Sequence, residues 1–99
     1  MKVAQTSEIA PGTFKTVEIE GELIAVFNIN GELYAIQDVC THDGGILTGG
    51  KVNGYIVECP RHGAQFDIKT GMVLRMPAVE PIKTYPVKVE GQEVFVLFE

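Results

Sequence analysis

Apolar and polar positions along the chain come in short bursts, with no sustained helical spacing. Residues 16–20 (TVEIE) alternate between the two kinds, the pattern of a strand with one buried face. Residues 23–28 (LIAVFN) and 33–36 (LYAI, closed by Gln37-Asp38) are continuous apolar runs of strand length, which suits strands buried on both sides. Turn signals separate these segments. Glu20-Gly21 joins the first to the second, and Asn30-Gly31 joins the second to the third. Asn-Gly is the strongest short-range hairpin signal because both residues tolerate the positive φ of a type I′ turn. Asn53-Gly54 links Lys51-Val52 to residues 55–58, Lys69-Thr70-Gly71 links 66–68 to 72–74, and Glu90-Gly91-Gln92 links 87–89 to 94–98. Gly and Pro recur so often that the longest stretch free of both is twelve residues, 32–43. An average helix of about eleven to twelve residues barely fits anywhere. Strands at this spacing predict an all-β fold, an antiparallel sandwich or barrel.

At 99 residues the chain is expected to form one domain, 1–99. A chain this short buries a modest core, so a bound metal or cofactor adds usefully to its stability. Its longest apolar runs, 23–27 and 94–98, are five residues each. A membrane-crossing helix needs about 20. The first twelve residues hold one Lys and no apolar stretch, so a soluble, cytoplasmic protein without a secretory signal is expected. Thirteen acidic and eight basic side chains give a net charge of -5, which argues against nucleic acid and anionic membrane as partners.

Two segments break the strand rhythm. Residues 40–50 (CTHDGGILTGG) and 59–65 (CPRHGAQ) are glycine-containing loops, each following a β-like run. They hold all the cysteines and histidines of the chain: Cys40 and His42 in a C-x-H pair, Cys59 and His62 in a C-x2-H pair, with sixteen residues between His42 and Cys59. Thiolate and neutral imidazole are soft to borderline ligands suited to iron or zinc. Structural zinc sites usually pair like with like along the chain, whereas here each loop supplies one ligand of each kind. A structural zinc protein built on the same four residues remains the alternative.

The mixed order, with CTHDGG and CPRHGAQFD as they stand, resembles the Rieske [2Fe–2S] proteins, in which two cysteines hold one iron and two histidines the other. Residues 76–81 (MPAVEP) are similar to that family's proline-containing third loop. The resemblance implies a Rieske-like β-sandwich carrying a small cluster-binding subdomain formed by two loops, at about 40–50 and 59–66. It implies one [2Fe–2S] cluster per chain, with Cys40 and Cys59 on the inner iron and His42 and His62 on the outer. Glycines 44, 45 and 63 are expected to aim backbone N–H groups at the sulfurs. Two neutral imidazoles in place of two thiolates make the site less negative and so easier to reduce.

High-potential members of the family resemble this chain but carry an extra cysteine in each loop, where Gly45 and Arg61 stand here. They also place hydroxyls near the cluster, where this chain has Ala64 and Phe66. Loss of those hydroxyls, with Asp43, Glu58 and Asp67 nearby, predicts a low potential, roughly −150 mV, at the bottom of the Rieske range. A chain ending at Glu99 leaves no room for a mononuclear iron site or a flavin domain. The resemblance therefore points to a ferredoxin component of multicomponent aromatic-ring dioxygenases, an electron carrier and not an enzyme. Its partners would be an NAD(P)H-dependent flavoprotein reductase and a terminal oxygenase, bound transiently by a monomer. Ile46, Leu47 and Pro77 are candidates for a docking patch. A carrier serving another acceptor, or a protein like the small subunit of nitrite reductase, shares the same fold.

Overall fold

The computed structural model describes residues 1–41 and 44–97, leaving His42, Asp43, Phe98 and Glu99 outside the described residues. Among the described residues, eleven strands account for the regular structure, apart from one 3-10 turn at Thr6–Glu8. They are β1 (Lys2–Gln5), β2 (Phe14–Ile19), β3 (Glu22–Ile29), β4 (Glu32–Gln37), β5 (Val52–Asn53), β6 (Ile56–Glu58), β7 (Gln65–Asp67), β8 (Val73–Arg75), β9 (Thr84–Tyr85), β10 (Val87–Glu90) and β11 (Glu93–Val96). They form three antiparallel sheets with strand orders β1-β11-β10, β2-β3-β4-β9 and β5-β6-β7-β8. The all-β expectation holds. Among the described residues, no helix is long and apolar enough to cross a membrane.

The turns follow from residue chemistry. Ile19 pairs with Glu22 and Ile29 with Glu32, so Glu20-Gly21 and Asn30-Gly31 are two-residue loops. All four turn residues have positive φ, as a type I′ turn demands. The second Asn-Gly, Asn53-Gly54, behaves differently. Asn53 stays in its strand opposite Ile56, and the turn is Gly54-Tyr55, so Tyr55 leaves the strand expected for it. The Tyr55 ring instead meets Tyr34 edge-on at 5.8 Å and lies under the Lys69 ammonium at 4.8 Å. The aromatic contact thus ties the third sheet to the second, and the cation–π contact joins two turns within the third.

β3 explains the unbroken apolar run. Ile24 and Val26 point into one core with Ala4, Ile9, Ile19, Ala35, Val94 and Val96. Ala25, Phe27 and Ile29 point into another, with Ile36, Val57, Phe66, Ile68 and both cysteines. The second sheet is therefore a middle layer, covered on one face by the first sheet and on the other by the third. Successive side chains of a strand serve opposite faces, so a strand covered on both must be apolar at consecutive positions.

Candidate metal centre

Each cysteine opens a loop of the same design, although the histidine spacings differ. In the first loop the Cys40 N–H donates to the Gly45 carbonyl at 2.7 Å, and the Gly44 N–H returns to the Cys40 carbonyl at 2.7 Å. In the second, the Cys59 N–H donates to the Ala64 carbonyl at 2.7 Å, and the Gly63 N–H returns to the Cys59 carbonyl at 3.2 Å. Both closures run from i to i+5 and from i+4 back to i. Gly44 and Gly63 occupy the equivalent position at φ 76° and 78°, a conformation that disfavours any residue with a Cβ. The readable signature is Cys-x3-Gly. Those two N–H groups donate to the cysteine carbonyls and close their own loops.

The loops rest on the third sheet and the core beneath it. Cys40 and Cys59 are 0% and 1% exposed, in the core that also holds Leu47, Ala64, Phe66 and Ala78. His62 and its neighbours Pro60 and Arg61 are exposed. The second loop therefore turns its thiol inward and its imidazole outward. No disulfide joins the two cysteines. His42 lies outside the described residues, so the structure places three of the four expected ligands. Among the described residues, no three His, Cys, Asp or Glu side chains converge on one metal-ion position. A binuclear cluster held by two thiolates and two imidazoles asks instead for two separate pairs.

The carboxylate of Asp38 was not singled out from the sequence. It is 1% exposed and accepts hydrogen bonds from the Leu47 N–H (2.9 Å), the Thr48 N–H (2.8 Å) and the Thr48 hydroxyl (2.6 Å). A buried carboxylate persists only when so satisfied. It pins the far end of the first loop two residues before Cys40. At Gly50 any Cβ would run into the Glu58 carbonyl, so the loop leaves along β6 by backbone contact alone. A third segment closes over from residues 76–81, where the Thr41 hydroxyl donates to the Glu80 carbonyl at 2.6 Å.

The candidate docking residues divide. Leu47 is fully buried and packs in the core, so it is no part of a docking patch; Ile46 is 48% exposed. Ala64 and Phe66 are fully buried, so this part of the site presents apolar surface and no side-chain hydroxyl. The Asp67 carboxylate accepts from the Lys69 and Thr70 N–H groups and caps a turn. Two buried thiols on twin glycine-closed loops, beneath an exposed imidazole, suit a cluster with a sulfur end inside and a nitrogen end facing water.

Comparison with known proteins bears on the same site. The family model of the Rieske [2Fe–2S] domain matches residues 1–86. The chain is 39% identical over 98 residues to the biphenyl dioxygenase ferredoxin subunit of Pseudomonas sp. (strain KKS102), covering 98% of this chain and 90% of the relative. It is 42% identical over 89 residues to the ferredoxin component of the naphthalene 1,2-dioxygenase system of Pseudomonas aeruginosa, covering 90% and 86%. Among solved structures, the ferredoxin of carbazole 1,9a-dioxygenase from Nocardioides aromaticivorans IC177 superposes with a TM-score of 0.91 at 31% identity, over 97% of this chain and 94% of that one. A chain from a complex of reduced oxygenase and oxidized ferredoxin in carbazole 1,9a-dioxygenase gives 0.90 at 36% identity, over 97% and 90%.

Proposed function

The chain belongs to the Rieske [2Fe–2S] domain family, and from that premise we propose that Cys40 and Cys59 hold the inner iron of its cluster and His42 and His62 the outer. The chain carries one [2Fe–2S] cluster and is an electron carrier to a terminal oxygenase, not an enzyme. The observation that carries the ligand assignment is the matched loop pair, with both thiols buried and His62 exposed. When bound, the cluster takes up and releases one electron at a time. The protein's own groups shelter the sulfur end and leave the imidazole edge open to a partner.

His62, which is exposed, and His42 form the electron port in this reading, with exposed Ile46 of the first loop as a docking candidate. The oxygenases it serves are of the aromatic-ring-hydroxylating class named for its relatives, and the electrons come from an NAD(P)H-dependent flavoprotein reductase. The carrier works in the cytoplasm as a monomer with one domain, 1–99. Its potential lies near the low end of the Rieske range, roughly −150 mV, because the buried positions 64 and 66 offer no hydroxyl to the reduced state. Mixing the reduced, red-brown protein with the oxygenase component of an aromatic-ring dioxygenase tests the reading by stopped-flow absorbance. Fast reoxidation with one electron delivered per chain is expected. Iron-loaded protein that stays reduced in the presence of such oxygenases would contradict it, and a colourless zinc protein would contradict the cofactor.

A further inference from the structure

We propose that Arg61 is a positioning residue, whose guanidinium clasps the second cluster loop to the first and sets the spacing between the two ligand pairs. The proposal rests on the ligand assignment above. Arg61 stands at the tip of the second loop, between Cys59 and His62. Its Nη1 donates to the Ile46 carbonyl of the first loop at 3.1 Å. The guanidinium also fills the space where residue 45 would carry a side chain. A Cβ built on Gly45 overlaps the guanidinium carbon and Nη2 and lies 2.8 Å from Nε, and these are its three nearest atoms.

The adjacent glycines 44 and 45 thus have different reasons to be glycine. Gly44 has a φ of 76° and open space around its missing Cβ, so its requirement is the backbone conformation. Gly45 falls outside the positive-φ group, and its missing Cβ leaves room for the Arg61 guanidinium in this position. Gly45 also supplies the carbonyl that accepts the Cys40 N–H. The clasp therefore bears on the peptide that closes the first loop. A planar guanidinium can lie flat on a peptide while a fixed N–H reaches the next carbonyl, which a lysine ammonium cannot reproduce.

The test uses the iron-loaded protein and two readouts, the rate of iron release to a chelator and the electron paramagnetic resonance spectrum after reduction. Arg61→Ala is expected to release iron about two- to ten-fold faster, the range a single hydrogen bond supports, and to shift the g values. Gly45→Ala removes no hydrogen-bonding group, yet should reproduce both effects by displacing the guanidinium. The double variant should be no worse than either single one, and Arg61→Lys should behave like Arg61→Ala. Wild-type iron release in Arg61→Ala, multiplied effects in the double variant, or full rescue by Arg61→Lys would overturn the clasp. Absence of iron and acid-labile sulfide from the wild-type protein itself would overturn the ligand assignment, a different failure.

Discussion

The frame made by the first two sheets and the subdomain that carries the loops are held together by different means. β2, β3 and β4 are six, eight and six residues long and pair in continuous register. Their core is aliphatic, with Ile24, Val26, Val94 and Val96 fully buried. The strands of the loop-bearing sheet are two or three residues long. Isolated pairing of such short strands is marginal in water. Val57, Phe66 and Ile68 anchor that sheet on the core beneath β3, and single contacts hold the loops: the Asp38 carboxylate on the first loop, the close backbone approach at Gly50, and Gly71, where a Cβ would strike the Ile82 carbonyl. Area burial stabilises the frame and the inner face of the subdomain, whereas specific contacts and a ligand complete the loops. The two regions should therefore fail separately.

The largest expected effect tests that separation directly. Cys40→Ser or Cys59→Ser should abolish cluster assembly, seen as loss of colour, iron and sulfide. Ligand binding and folding are linked, so hydrogen exchange should accelerate at β6 and β7 while β3 and β4 stay protected. Simultaneous loss of protection in both regions would mean one cooperative unit. The converse perturbation is Ile24→Ala in the frame, expected to cost about 2–5 kcal/mol in denaturant unfolding. Folded protein should still bind a full complement of iron.

Much of the frame was legible in the sequence because its information is local. Asn30-Gly31 and the alternation at 16–20 each name a turn or a face without reference to distant residues. β1 was not legible, because a four-residue strand is defined by pairing with β11 at the other end of the chain. β9, two residues long, exists through its pairing with β4. The candidate ligand set stood out because cysteine and histidine are chemically distinctive. What supports it was not. Asp38 resembles any residue ending a strand, and Arg61 any exposed loop cation, until the chain folds and brings the Leu47 N–H and Gly45 to them.

Asp38→Ala sharpens the comparison at the joint between the regions. Removing the acceptor strands two backbone N–H groups and one hydroxyl, expected to cost about 2–4 kcal/mol and to raise iron loss before the frame unfolds. Asp38→Asn keeps one acceptor oxygen and should retain most of the stability. Denaturation followed in parallel by visible absorbance and far-ultraviolet circular dichroism would read the two events apart.

The smallest effect belongs to the frame surface. The Lys15 ammonium, then the Gln5 N–H, hold the Glu8 carboxyl below its ordinary value of 4.5. A depressed folded value means this contribution is present above about pH 4.5 and fades as pH falls through the lower folded value. The group is exposed, so solvent screens it. Glu8→Gln should therefore lower the thermal midpoint slightly at neutral pH and leave it unchanged in strong acid. An equal shift at both pH values would contradict the sign.

The central claim is a cluster gripped by sulfur at one end and by the imidazoles of His42 and His62 at the other. Pulsed electron paramagnetic resonance on reduced protein labelled with nitrogen-15 only in histidine measures this directly. The account predicts two distinct nitrogen couplings from directly bound imidazoles, one of which disappears in His62→Cys. A reduced cluster spectrum with no histidine nitrogen coupling would contradict it.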